Sequence, residues 1–209
     1  MKCKSEINYG LYLIADRRVF RGRNFLSGLE EAMLGGVTLV QLREKELNTR
    51  DFYHLAVSVK TLTEQCRVPL IINDRLDIAM AVDAEGVHLG REDLPAEAAR
   101  DLLGDNKVIG LSAANLDEAR RAEATGADYI GVGALHPTST KPNTRSVTAE
   151  QLAAIKAGIN IPVVAIGGIR QRHVGTILET GVDGIAVASA ILGEQDIRDA
   201  ARTMKGLMG

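Results

Sequence analysis

TGADYIGVG, running from Thr125 to Gly133, returns further along the chain as TGVDGIAVAS, from Thr180 to Ser189. Each copy places small or turn residues ahead of a short apolar run. GGVTLVQLR (35–43) and AEGVHLGRE (84–92) are looser copies, and RVPLIIND (67–74) and NIPVVAIGG (160–168) form a second pair. The apolar runs are too short for helices, rich in Val, Ile and Leu, and continuous rather than alternating. Strands buried on both faces of a parallel sheet have this composition.

Taken in order, the runs are Leu11–Ala15, Leu39–Leu42, Leu70–Ile72, Gly86–Leu89, Val108–Leu111, Tyr129–Val132, Val163–Ile166 and Gly184–Val187. Between them lie amphipathic stretches of helical period: FLSGLEEAML, DFYHLAVSVKTLTEQC, NLDEARRAEATG and HVGTILETG. Gly126 and Gly181 stand where helices are expected to end. Eight strand-then-helix units predict an α/β fold, a (β/α)8 TIM barrel occupying residues 1–209 as a single domain. An open doubly wound sheet would carry a glycine-rich fingerprint after its first strand, where this chain reads ADRRVFRGRN.

Composition narrows the function. With 45% hydrophobic and 25% charged residues, the 209-residue chain has the profile of a soluble globular protein. A net charge of -2 gives no global attraction for nucleic acid, and 3% aromatic content leaves little for base stacking. No run is long enough to span a bilayer, and a protein without a secretory leader is expected. Cys3 and Cys66 show neither metal-ligand nor disulfide spacing, so both are expected to be free thiols in the cytoplasm. Small-molecule substrates are the expected partners, with a homo-oligomer left open.

In a barrel of this kind the chemistry sits at the C-terminal ends of the strands. After the second strand, Gln41, Arg43 and Lys45 alternate and should point together into the mouth, where two cations and an amide suit a phosphate ester. The third strand ends at Asn73 and Asp74, and Asp93 follows the fourth. Acidic groups beside a basic cluster make sense if Mg2+ bridges carboxylates and phosphate oxygens; Asp74 could otherwise cap the following helix. His88 reads as a packed strand residue. After the fifth strand come Ser112, suited to a neutral polar group, and Asn115, an expected helix cap. Gly167, Gly168, Ala188 and Ser189 suggest an amide-lined anion site after strands seven and eight. The sixth strand delivers PTSTKPN (137–143), whose Thr138, Ser139, Thr140 and Lys141 would lie between the two anion sites.

QLREK, IINDR, GVHLGREDLP, LHPTSTKP, PVVAIGGI and VASAI together, in order and across nearly the whole chain, resemble the thiamine phosphate synthase family. That resemblance implies a cytoplasmic transferase of thiamine biosynthesis. It would join 4-amino-2-methyl-5-hydroxymethylpyrimidine diphosphate to a thiazole phosphate carboxylate, with loss of pyrophosphate and CO2. It implies that the segment Gln41, Leu42, Arg43, Glu44 and Lys45, with Asn73 and Lys141, holds the pyrimidine diphosphate. Asp74 and Asp93 would hold Mg2+, and Ser112 would touch the pyrimidine. Thr138, Ser139, Thr140, Gly168, Ala188 and Ser189 would hold the thiazole phosphate. Arg43, Lys45, Ser112 and Lys141 would act nearest the reacting atoms. Where family members often carry a histidine after the strand-five serine, this chain has Ala114 and Asn115. The related thiazole tautomerase, which resembles the synthase in fold, and a non-catalytic phosphate sensor on the same scaffold are the alternatives.

Overall fold

The structure is a computed structural model in which residues 4, 7–20, 24–137 and 145–209 are described. Eight parallel strands close into a barrel in chain order: β1 (Leu11–Asp16), β2 (Leu39–Arg43), β3 (Leu70–Asn73), β4 (Gly86–Leu89), β5 (Val108–Ala113), β6 (Tyr129–Val132), β7 (Val163–Ile166) and β8 (Gly184–Val187). Around them run α1 (Phe25–Leu34), α2 (Thr49–Gln65), α3 (Leu76–Ala81), α4 (Ala96–Leu103), α5 (Leu116–Ala124), α6 (Ala149–Ala157), α7 (Val174–Leu178), the short α8 (Ser189–Leu192) and α9 (Ile197–Gly206). Pairing of β1 with both β2 and β8 leaves the sheet no free edge.

The strands read as unbroken apolar runs because both faces are buried. Along β1, Tyr12 and Ile14 turn inward to meet Leu39, Ile71, Val108, Tyr129 and Val164 in the barrel interior. Leu11, Leu13 and Ala15 turn outward into the larger core beneath the helices. Four strands match the expected runs residue for residue, while β1, β2, β3 and β5 continue one or two residues further. The first added residue of each, Asp16, Arg43, Asn73 and Ser112, is polar, so an apolar pattern stops short of it although the ladder does not. Gly126 and Gly181 lie just past α5 and α7 at φ of 87° and 82°, the left-handed values that end a helix most readily in glycine.

At the opposite end from the mouth, one device recurs four times and accounts for the sequence repeat. The residue just before each even-numbered strand grips the start of the strand before it through two bonds. Thr38 donates its N–H to the Leu11 carbonyl and accepts the Leu11 N–H on its hydroxyl. Glu85 does the same to Leu70, Asp128 to Ile109 and Asp183 to Val163, with carboxylate contacts of 2.7–2.8 Å. These N–H groups, on the first residue of β1, β3 and β7 and the second of β5, are given a partner by those side chains. Each carboxylate is also paired with a cation from the outer layer: Lys60 with Glu85, Arg100 with Asp128, Lys156 with Asp183, each at 2.6 Å.

Glu85 and Lys60 form the most buried of these three ion pairs, with side chains 11% and 9% exposed. Replacing Glu85 with Ala strands the Leu70 N–H and leaves Lys60 only the exposed Glu64, so unfolding in urea should show a loss of about 3 kcal/mol. Glu85→Gln keeps an acceptor for the Leu70 N–H and should recover part of that loss. Equal stability of Glu85→Ala and the parent would remove the strand-pinning role.

Candidate functional site

The mouth at the C-terminal ends of the strands is lined by Gln41, Arg43, Lys45, Asn73, Asp74, His88, Ser112, Gly167, Gly168, Ala188 and Ser189, together with Arg91, Glu118 and Arg145. The strands therefore bring most of the expected site residues together. Leu42 and Glu44 are the exceptions on β2 and its loop. Leu42 is fully buried in the outer core, as alternation along a strand between Gln41 and Arg43 requires. Glu44 folds its carboxylate back onto the backbone N–H groups of Lys45 and Glu46 and pairs with Arg17, so it shapes the loop rather than facing the mouth. Thr138, Ser139, Thr140 and Lys141 lie outside the described residues.

The cations are aimed by carboxylates. Arg43 donates to Asp16 at 2.8 Å, and Asp16, only 3% exposed at the end of β1, also takes a bidentate pair of bonds from Arg18 at 2.6 and 3.0 Å. Burial pushes the Asp16 carboxyl up, but the Arg18 hydrogen bonds and the Arg43 charge outweigh it and hold the group below its ordinary range. Lys45 is hydrogen-bonded to Asp74. On the wall across from β2, Glu118 accepts the Ala114 N–H at 2.8 Å and holds Arg145 at 3.0 Å, with Arg91 at 3.7 Å. Asp16, Arg91, Glu118 and Arg145 escaped sequence reading. Asp16 closes an otherwise apolar run, and the others, Arg91 and Arg145 in two loops and Glu118 in the first turn of α5, meet only because the barrel closes.

Asp74 and Asp93 come together from the ends of β3 and β4. Burial raises both, but the Lys45 hydrogen bond and charge bring Asp74 below the usual carboxylate range. Asp93 stays raised, by burial and by its contact with Asp74, although it accepts the Gly90 N–H at 2.6 Å. Two carboxylates in contact, one of them reluctant to ionise, form a site that a divalent cation would relieve. Among the described residues no group of three or more His, Cys, Asp or Glu side chains could hold a metal. A donor set of two carboxylates in contact fits an ion that takes few carboxylates and completes its shell with phosphate and water. Asp74 has φ of 60°, a strained value for a non-glycine residue, and its side chain does not cap α3. The capping alternative is thereby set aside.

His88 departs most from its sequence reading. It is buried on β4, but it faces the mouth, with Nδ1 2.9 Å from the Tyr129 hydroxyl and Nε2 3.1 Å from Ser112 Oγ. The Tyr129 hydroxyl lies 2.8 Å from that of Tyr12, which accepts from Gln41 Nε2 at 2.8 Å. A buried chain of hydrogen bonds thus crosses the barrel floor from Gln41 on β2 to Ser112 on β5. Asn115 caps α5 as expected, and an imidazole does reach Ser112, from β4 rather than from position 114. On the far side, Gly167 and Gly168 have φ of 102° and 61°, and a Cβ at Gly168 would come within 2.5 Å of the Pro137 carbonyl. A side chain there would displace the β6 loop before it reached any ligand.

The chain matches the thiamine monophosphate synthase (TMP-TENI) family over residues 11–191. It is 55% identical over 205 residues to a thiamine-phosphate synthase from Alkaliphilus oremlandii, covering 98% of each chain. A thiamine-phosphate synthase from Clostridium acetobutylicum is 52% identical, with 95% of this chain and 94% of that one covered. Among solved structures, thiamine phosphate pyrophosphorylase from Pyrococcus furiosus superposes with a TM-score of 0.90 at 40% identity, covering 97% of this chain and 96% of that one.

Asp16 makes the cationic wall testable without reference to any reaction. Asp16→Asn keeps the size of the side chain but removes the charge that aims Arg43 and Arg18. Binding of inorganic pyrophosphate in the presence of Mg2+, followed by calorimetry, should weaken about tenfold, the worth of one charge-assisted bond. Unchanged affinity would mean that Arg43 needs no aiming.

Proposed function

The chain belongs to the thiamine monophosphate synthase family, and we propose that it carries out thiamine-phosphate synthesis at this mouth. The pyrimidine methylene carbon is transferred from pyrophosphate to the nitrogen of a thiazole phosphate carboxylate, and CO2 leaves the coupled product. The observation that carries this reading is Asp74, with Asp93 against it, lining one cavity with Lys45 and Arg43 and with the glycine turn of β7. A diphosphate and a monophosphate would each find a separate anion site there. Fold resemblance alone would not support the assignment, because barrels host many chemistries.

Each step asks something different of the residues. As the C–O bond to pyrophosphate lengthens, negative charge grows on the departing oxygens. Arg43, aimed beforehand by Asp16, meets that charge without reorganisation, and a preplaced donor of this kind is typically worth ~3 kcal/mol, while Lys45 beside it turns to that charge from its bond to Asp74. Mg2+ held by Asp74 and Asp93 would neutralise pyrophosphate oxygens. Asn73 and Gln41 would position the diphosphate-bearing ring, and Ser112 would contact its edge. The electron-rich ring carries the methylene cation until the thiazole nitrogen captures it. Gly168, Ala188 and Ser189, with Thr138, Ser139 and Thr140, would hold the thiazole phosphate, and Lys141 would reach the pyrophosphate. No thiolate is called on. Cys66 lies at the end of α2, where burial and the Glu30 charge push its thiol up.

Mixing both phosphorylated substrates with Mg2+ and the protein should release pyrophosphate and CO2 in equal amounts and form thiamine monophosphate. Failure to form product from the complete mixture would defeat the assignment. The metal role has its own test. Asp74→Asn and Asp93→Asn should each raise the Mg2+ concentration for half-maximal turnover about tenfold or more. Asn tolerates the left-handed backbone at position 74, so thermal stability should change little. Because the Asp93 pKa is raised, a proton competes with the metal as pH falls, and the parent's Mg2+ requirement should climb toward acid pH. The same Mg2+ dependence in parent and both variants would dismiss the metal assignment.

A further inference from the structure

The hydrogen-bond chain across the barrel floor does more than satisfy buried groups. Tyr12 and Tyr129 are fully buried, and burial raises both phenols, so each keeps its single proton. A phenol with one proton and two neighbours donates to one and accepts from the other. A neutral imidazole likewise donates at one nitrogen and accepts at the other. With the Gln41 amide donating to Tyr12, Tyr12 must donate to Tyr129, and Tyr129 to His88 Nδ1. His88 then carries its proton on Nε2 and donates to Ser112. The Ser112 proton is left for the mouth, and so is the carbonyl oxygen of Gln41.

Reversing the sense reverses both ends together. If the Gln41 carbonyl accepts from Tyr12, every bond turns round, and Ser112 spends its proton on His88. The mouth then meets a Gln41 amine and a Ser112 lone pair. In either sense one end presents a donor and the other an acceptor. We propose that Tyr12, Tyr129 and His88 are positioning residues that couple Gln41 to Ser112, so that the two ends together accept a flat heterocycle offering one donor and one acceptor in a fixed order. An aminopyrimidine edge, with an exocyclic amine beside a ring nitrogen, offers that pair. Its oxo counterpart offers the pair swapped, and it binds well only if the Gln41 amide and all four bonds reverse. The proposal rests on the pyrimidine reading of the site for its ligand, but the coupling itself belongs to the free protein.

The coupling is read first without ligand, by nitrogen-15 NMR of the His88 ring in mildly alkaline buffer. The parent should show the proton on Nε2. Gln41→Glu supplies only an acceptor to Tyr12, reverses the chain and should move the proton to Nδ1, three hydrogen bonds away. Adding Tyr12→Phe to Gln41→Glu cuts the chain and should return the proton to Nε2. A folded Gln41→Glu protein with an unmoved His88 proton would overturn the proposal.

Tyr129→Phe gives a second reading that does not depend on a buried glutamate being tolerated. The parent should bind the 4-amino pyrimidine diphosphate at least tenfold more tightly than its 4-oxo analogue. With the ends uncoupled, Ser112 and Gln41 can turn independently, and the preference should fall to threefold or less. Equal weakening of both ligands, with the ratio kept, would reduce Tyr129 to a packing residue and also overturn the proposal. Failure of turnover with both ligands still bound and discriminated would fall on the proposed reaction instead.

Discussion

Closure of the parallel barrel is the constraint on which everything else in this protein rests. A parallel strand leaves an N–H at or next to its start without a partner in the ladder, and such groups crowd one end of the barrel. Thr38, Glu85, Asp128 and Asp183 answer for four of these, each binding the preceding odd-numbered strand by backbone and side chain at once. The strands are thus pinned in pairs at the bottom, and register follows from there: with Leu70 fixed to Glu85, Asn73 must pair with His88 at the top. The position of the catalytic mouth is a consequence of bonds made at the opposite end. This division suits an enzyme, since the pinned end can be rigid while the loops of the mouth remain free to serve ligands.

The same division explains which parts were legible in the sequence. The turn-then-strand repeat is visible because each pin and its strand are adjacent in the chain, so Asp128 with Tyr129 and Asp183 with Gly184 appear as copies. Alternation along β2 was equally legible. It placed Gln41, Arg43 and Lys45 together, and it also dictates that Leu42 faces the opposite way. What stayed hidden depends on closure. His88 lies in an apolar strand, where a histidine usually packs. Nothing in HLGRED announces that Tyr129, on β6, and Ser112, on β5, will stand at its two nitrogens. Asp16 was hidden for the opposite reason: it ends an apolar run, and its partner Arg43 lies on the neighbouring strand.

Two kinds of polar organisation meet in the mouth, and they differ in strength for a physical reason. At the rim, ion pairs such as Lys45 with Asp74 and Arg145 with Glu118 are partly exposed, so solvent screens them and they exchange partners at small cost. On the floor, the chain from Gln41 to Ser112 lies mostly out of water, where a broken hydrogen bond leaves an uncompensated group. The rim is accordingly suited to charge that arrives and departs, and the floor to a ring whose edge must be recognised. Among the described residues, no buried side-chain polar atom lacks a partner, so the floor is complete before any ligand enters.

The near-neutral charge of the whole chain has its counterpart at the site. Arg43 is balanced by Asp16, Lys45 by Asp74, and Arg145 with Arg91 by Glu118. A mouth of unpaired cations would bind phosphate strongly but would also repel a divalent metal. Pairing avoids that conflict and links the two events. On the proposed reading, Lys45 cannot turn fully to a phosphate while it holds Asp74, and Asp74 cannot serve a metal while it holds Lys45. Arrival of the diphosphate with its metal lets both groups change partners together, with the charge of each compensated throughout. Either alone would leave one member of the pair exposed to its like-charged neighbour: Asp74 to Asp93, or Lys45 to a metal without its phosphate. The Lys45–Asp74 contact therefore favours the diphosphate and its metal as a unit over either by itself.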